Sequence, residues 1–205
     1  MSCVNHELKS IFIHVAKCAG SSLSSLTWNK GCGHKTYIEY AKDISDIEKY
    51  FTWSVVRNPW DRAVSAYEDA IKLHPTVNTF KKFIEILYTH KDLFRTAQCV
   101  KESDFIKIPG VGVNRIHFLP AHLCLQDENG CMKCTFVGRF ENLQEDFRYV
   151  CNKLNIQADT LPFKNSRKQK EDRNNTFYKD LYTDSLLNQV GEIYKKDISI
   201  FGYDY

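Results

Sequence analysis

The chain has 205 residues, 43% of them hydrophobic and 26% charged, a length and balance that predict a single domain over 1–205 with a core of its own. Its charge sum is 28 basic minus 25 acidic residues, or +3, which excludes a surface given over wholly to nucleic acid. No apolar run approaches the ~20 residues of a membrane span, and no basic-then-apolar leader opens the sequence, so a cytoplasm-like setting with no membrane span is expected.

Ser10-Ile-Phe-Ile-His-Val15 is a short apolar run with β-branched content, ended by Lys17-Cys-Ala-Gly20; it predicts a buried strand and a turn. Serines 21, 22, 24 and 25 with apolar residues at 23 and 26 then suit a helix start. Residues 36–50 are helical and amphipathic in pattern. Phe51-Thr-Trp-Ser-Val-Val56 is a second buried strand, and Asn58 as cap with Pro59 at the first helical position opens a helix to about Leu73. Residues 79–98 read as further helix. A hairpin is expected around Asp127-Glu-Asn-Gly130, its second arm ending in Thr135-Phe-Val-Gly138. Asn142-Leu-Gln-Glu145 reads as an Asn-led capping box, opening a helix to about Leu154. A polar loop covers 162–175, and 183–197 is a last helix. Strands alternating with helices predict an α/β protein, a three-layer α/β/α domain with a largely parallel central sheet.

Eight cysteines are scattered along a chain long enough to need no disulfides, so reduced thiols are expected. The one close pair is Cys131 and Cys134. With Cys124 and His122 a four-ligand zinc set can be written down, but its spacing follows no regular zinc pattern. The same pair also fits a strand of the hairpin.

The first strand, loop and helix set Ala19, Gly20, Ser21 and Ser22 where backbone N–H groups converge on an anion, with Lys17 just ahead. The loop is P-loop-like but no Walker A sequence: that needs lysine directly before Ser or Thr, whereas Lys17 precedes the glycine. An ordinary strand-to-helix turn has the same composition. Arg57 ends the second strand, and in open α/β sheets ligands sit beyond the carboxyl ends of the strands, so Lys17 and Arg57 are expected on one face. Ser65 follows eight residues later, ~12 Å along a helix.

These residues carry a resemblance. Phe12-Ile-His-Val-Ala-Lys-Cys-Ala-Gly-Ser-Ser-Leu23 resembles the phosphosulfate-binding loop of sulfotransferases, F-I-H-I-P-K-T-G-G-T-S. Val55-Val-Arg-Asn-Pro-Trp-Asp-Arg-Ala-Val-Ser-Ala-Tyr67 resembles their 3′-phosphate motif. Phe136-Val-Gly-Arg-Phe-Glu-Asn-Leu-Gln-Glu-Asp-Phe147 and Ile200-Phe-Gly-Tyr203 are similar to the carbohydrate-type branch, which includes heparan and chondroitin sulfotransferases and small bacterial relatives. The four blocks run in order from about residue 10 to 203. In this chain Ala16 replaces the usual proline, Cys18 the threonine and Ala19 a glycine. A thiol beside a lysine at a helix start is compatible with a redox-sensitive site, but the reading preferred for Cys18 is a small inert residue.

The resemblance implies a sulfotransferase or nucleotide-kinase-like fold and an enzyme that moves a sulfuryl group from 3′-phosphoadenosine-5′-phosphosulfate (PAPS) to a hydroxyl, leaving adenosine 3′,5′-bisphosphate, without a metal. Lys17 would stabilise the charge that builds on the leaving oxygen. The loop Cys18, Ala19, Gly20, Ser21 and Ser22 would hold the 5′-phosphate, and Arg57 with Ser65 the 3′-phosphate. Relatives carry K-H-A-T-A between the two donor motifs, and Gly33-His34-Lys35-Thr36 falls there, so His34 is the first choice of base. His122 is second, as a substrate-side residue, and His14 reads as packing or support. Lys164, Asn165, Ser166 and Arg167 match a late donor-contacting loop. The acceptor is expected to be a carbohydrate or small metabolite, with no nucleic-acid partner. Two other readings stay open: a kinase-like phosphotransferase, disfavoured by the missing Walker lysine, and a non-catalytic nucleotide-binding module.

Overall fold

A computed structural model describes residues 3–23, 33–73, 77–94, 108–109, 111, 115–157 and 177–205. The chain divides into two compact units, Met1–Arg57 with Cys124–Gln169, and Asn58–Leu123 with Lys170–Tyr205. The boundary at Arg57 falls inside the second sequence block, so each unit is assembled from separated stretches of chain.

The first unit is built on a four-stranded sheet in the order β1 (Val4–Asn5), β2 (Ser10–Ile13), β3 (Phe51–Val56) and β4 (Phe136–Arg139). β1 pairs antiparallel with β2, and β2, β3 and β4 run parallel, so the sheet is open, mixed and mostly parallel, as an α/β fold requires. β2 is buried at every position and β3 at all but its first, the pattern of strands covered on both faces. The register sets Ile13 opposite Ser54 and Val56 opposite Arg139. Polar groups inside the sheet are matched: Trp53 Nε1 donates to Ser10 Oγ at 3.2 Å, and Ser54 Oγ donates to Ile13 O at 2.6 Å.

Helix α1 (Gly20–Leu23) follows β2. Helix α2 (Tyr37–Asp43) starts at a capping box, for which Thr36-Tyr-Ile-Glu39 has the required spacing. Thr36 Oγ1 accepts from Glu39 N–H, and Glu39 Oε2 accepts from Thr36 N–H at 2.7 Å. The expected hairpin is reduced to a single antiparallel bridge, Gln126 to Met132, around a turn in which Gly130 takes φ +79°. Its upstream arm is helix α5 (Ala121–Leu125), and its downstream chain pairs in parallel with β3 as β4. The reason is Thr52: its hydroxyl donates to Lys133 O at 2.9 Å and its carbonyl accepts from Thr135 N–H at 2.8 Å, drawing that chain onto the sheet.

Helix α6 (Leu143–Lys153) occupies the expected span, but its capping box does not form. Asn142 has φ −121° and ψ 28° and makes no cap bond; its amide donates instead to Asp146 Oδ1 at 3.2 Å.

The second unit is helical. It contains α3 (Pro59–Leu73), α4 (Phe80–Thr89), α7 (Asp184–Ile193) and α8 (Lys195–Phe201). α3 begins as its sequence predicts, with Asn58 Oδ1 accepting from Trp60 N–H at 3.1 Å. Trp60 Nε1 then donates to Leu187 O at 3.1 Å, fixing α3 to α7. Phe80, Phe83 and Phe118 pack edge and face around the start of α4. The last predicted helix is broken at Tyr194, and α8 closes on Gly202 in the left-handed region at φ +62°.

Candidate functional site

The chain leaves β2 at Ile13, whose carbonyl accepts from both Ser54 Oγ and Val15 N–H. Two L-residues then take left-handed backbone, Lys17 at φ +66° and Ala19 at φ +64°. Such geometry costs an L-residue ~1–2 kcal/mol, and strain of this kind is retained where a site needs the turn. Ser22 and Leu23 N–H groups donate to Ala19 O at 2.9 and 3.1 Å, while the N–H groups of Ala19 and Gly20 donate to no acceptor among the described residues. Successive N–H groups in such a turn form a concavity suited to an anion.

Because β2, β3 and β4 are parallel, the chains that follow them emerge at one edge of the sheet. Arg57 Nη1 donates to Lys17 O at 3.2 Å, and its guanidinium lies 4.0 Å from the centre of the Phe140 ring. The expectation that Lys17 and Arg57 share a face holds within this unit, with a contact closer than the sequence implied. Phe140 was not assigned to the site from sequence. The signal was present in its position directly after β4, the third parallel strand.

His34 lies against this loop. Its Nδ1 is 3.1 Å from the carbonyl oxygen of His14. A carbonyl only accepts, so Nδ1 carries the proton and Nε2 of the neutral ring is the basic atom. The His14 and His34 ring centres are 4.2 Å apart at 41°, and Phe12 stacks on His14 at 5.7 Å. Gly20 is the other neighbour of His14: a Cβ at position 20 would fall within the His14 ring. Lys35 turns away to pair with Asp43 at 2.7 Å, and that bond raises its pKa.

The sheet's third motif block is largely structural. Asp146 Oδ2 accepts from Arg139 N–H at 2.6 Å, joining α6 to the end of β4. Gly138 admits that carboxylate, since a Cβ there would lie 3.0 Å from Asp146 Cβ.

Cys18 is fully buried, as a small inert cysteine of the loop is expected to be. Cys3 is disulfide-bonded, so a fully reduced set does not hold. Cys134 donates to Phe136 O at 3.2 Å, and burial pushes its pKa up to about 12. No cluster of three metal-ligating groups occurs among the described residues.

The other candidates belong to the second unit or lie beyond description. Ser65 is half-buried on α3. His122 is buried, with its Nδ1 2.6 Å from Asp197 Oδ1. Asp197 also accepts from the backbone N–H groups of Ala121 at 2.6 Å and His122 at 2.9 Å, and Arg62 stands 4.0 Å from its other oxygen. His122 thus forms part of a buried network. Asn165, Ser166 and Arg167, with Lys164, lie outside the described residues.

No helix among the described residues is long and apolar enough to cross a membrane. No curated protein and no solved structure gives a significant match. A family model described as the sulfotransferase family matches residues 2–204, nearly the whole chain and both units. An α/β sheet with a strained loop after its second strand, cationic residues at one edge and this end-to-end match together show that the chain belongs to the sulfotransferase family.

Proposed function

We propose that this sulfotransferase takes its sulfuryl group from PAPS and passes it to a hydroxyl of a sugar or small metabolite. The observation that supports this most directly is the loop of residues 17–22, held at the sheet edge by Arg57, whose Ala19 and Gly20 N–H groups have no acceptor among the described residues. In this reading the loop amides hold the 5′-phosphate and Arg57 a second phosphate. Lys17 lowers the barrier by neutralising charge on the departing oxygen. The bond from sulfur to the bridging oxygen breaks as the acceptor oxygen bonds to sulfur, an in-line transfer that depends on positioning and charge. The acceptor proton passes to His34 Nε2, the ring atom left basic by the Nδ1 bond. A disulfide at Cys3 favours an oxidising compartment over the cytoplasm-like one expected at first.

Calorimetry tests the donor: adenosine 3′,5′-bisphosphate should bind and ATP much more weakly, and equal binding of ATP would turn the reading toward a phosphotransferase. Radiolabelled sulfate transfer from PAPS across sugars and metabolites tests the reaction. His34→Ala should cut transfer by ~10²-fold or more while bisphosphate affinity stays within about threefold; undiminished transfer removes His34 from the base role.

A further inference from the structure

We infer that His14 is a positioning residue of the transfer site, one imidazole that fixes both the anion loop and the base. This rests on the reading of His34 as base. Three observations converge on it. The His14 ring fills the space above Gly20, where any side chain would collide with it. Gly20 has no left-handed φ that would call for glycine, unlike Gly130 and Gly202, so the demand for glycine at 20 comes from the close approach of this ring. The opposite side of the requirement is His34, whose ring centre lies 4.2 Å from that of His14 and whose Nδ1–H donates to the His14 carbonyl. Both contacts come from one residue at the point where β2 ends.

That point is itself fixed. Ser54 Oγ holds Ile13 O at 2.6 Å, and Phe12 stacks on the His14 ring. His14 therefore projects from a rigid strand end, as a positioning group must. Its carbonyl selects the His34 tautomer with a basic Nε2, its ring limits where the His34 ring can lie, and its edge sets the height of Gly20 at the start of α1. Proton removal and anion binding are thereby tied to one side chain, and a displacement of ~1 Å in such an arrangement is enough to cost ~10²-fold in rate.

The test compares His14→Ala, Gly20→Ala, the double variant and His34→Ala. Each is checked for folding by circular dichroism, then for bisphosphate affinity by calorimetry and for sulfate transfer from radiolabelled PAPS, with hydrolysis of PAPS as the readout where no acceptor is found. His14→Ala should lose ~10²-fold in transfer and a further few-fold in bisphosphate affinity, because the loop loses the ring that Gly20 rests against. Gly20→Ala should lose both, because its methyl displaces the ring and the loop together. The double variant should regain the affinity but not the transfer, an outcome that simple loop packing would not give.

Nitrogen-15 NMR of the His34 ring gives a readout independent of any acceptor. The Nδ1–H form should dominate in the parent protein and give way to a mixture in His14→Ala. The inference is overturned if His14→Ala transfers at the parent rate with an unchanged His34 spectrum, or if Gly20→Ala is unimpaired. If His34→Ala transfers normally, the base reading fails instead. The recovery of affinity in the double variant still decides the loop half of the inference.

Discussion

At the scale of single residues, the loop shows where this chain departs from its family and what the departure costs. Ala19 stands where the sulfotransferase motif it resembles has glycine, and it holds φ +64°. Its Cβ is strained there, whereas glycine takes that region without penalty. Ala19→Gly should therefore raise stability by about 0.5–1 kcal/mol, net of the extra entropy glycine carries in the unfolded chain. Urea unfolding measures it, and a lower midpoint would show that the strain is not the dominant effect. Gly20 is the opposite case: its conformation is ordinary and its surroundings forbid a side chain. The two positions look alike in sequence, small residues in a turn, yet one is set by backbone angle and the other by an imidazole six residues earlier.

At the scale of elements, caps decide where the site residues stand. Thr36 is fully buried and starts α2 two residues after His34. The capping box fixes the chain that carries the base, and Thr36→Ala should cost ~1 kcal/mol of stability. The loss is read as a lower urea midpoint, with a lowered transfer rate at unchanged bisphosphate affinity if α2 frays toward His34. No loss of stability would mean that the buried Ile38 and Tyr40 hold α2 without its cap. Asn142 shows the converse. Its spacing to Glu145 satisfies the capping rule, but Asp146 offers its amide a competing acceptor. The spacing rule is a statement about local options, and a carboxylate one turn away removes the option.

At the scale of the molecule, each unit has its own organising group. The first is arranged around the parallel strands, whose shared direction brings Lys17, Arg57 and Phe140 to one edge. The second contains Asp197, buried among the N–H groups of residues 121 and 122, the His122 ring and Arg62. An acid so enclosed cannot be removed cheaply, because the cation and donors around it would stay buried without it. Asp197→Ala should cost about 3 kcal/mol, with Asp197→Asn losing less; a change within ~0.5 kcal/mol, the range of ordinary surface substitutions, would show that the network contributes little. Arg62 and Asp197 lie within the second and near the fourth sequence blocks, so part of what makes those blocks recognisable is the interior of this unit rather than donor chemistry.

By itself the sequence determined the buried strands at 10 and 51, the Asn58-Pro59 helix start, the α/β class and the family resemblance. Those features depend on neighbours in the chain: β-branched runs, a cap beside a proline, motif blocks in fixed order. It placed Lys17 and Arg57 together through a general property of parallel sheets. What only the tertiary structure decided involves groups far apart in the chain or competing acceptors: the His14 ring above Gly20 and against His34, Thr52 drawing β4 onto the sheet in place of a hairpin, Phe140 beneath Arg57, and Asp197 holding His122 from 75 residues away. The tautomer of His34 belongs to that second group. A histidine between two motifs marks a candidate base, but the carbonyl that makes its Nε2 basic is supplied by a strand end twenty residues earlier, and its proximity is set by folding rather than by spacing.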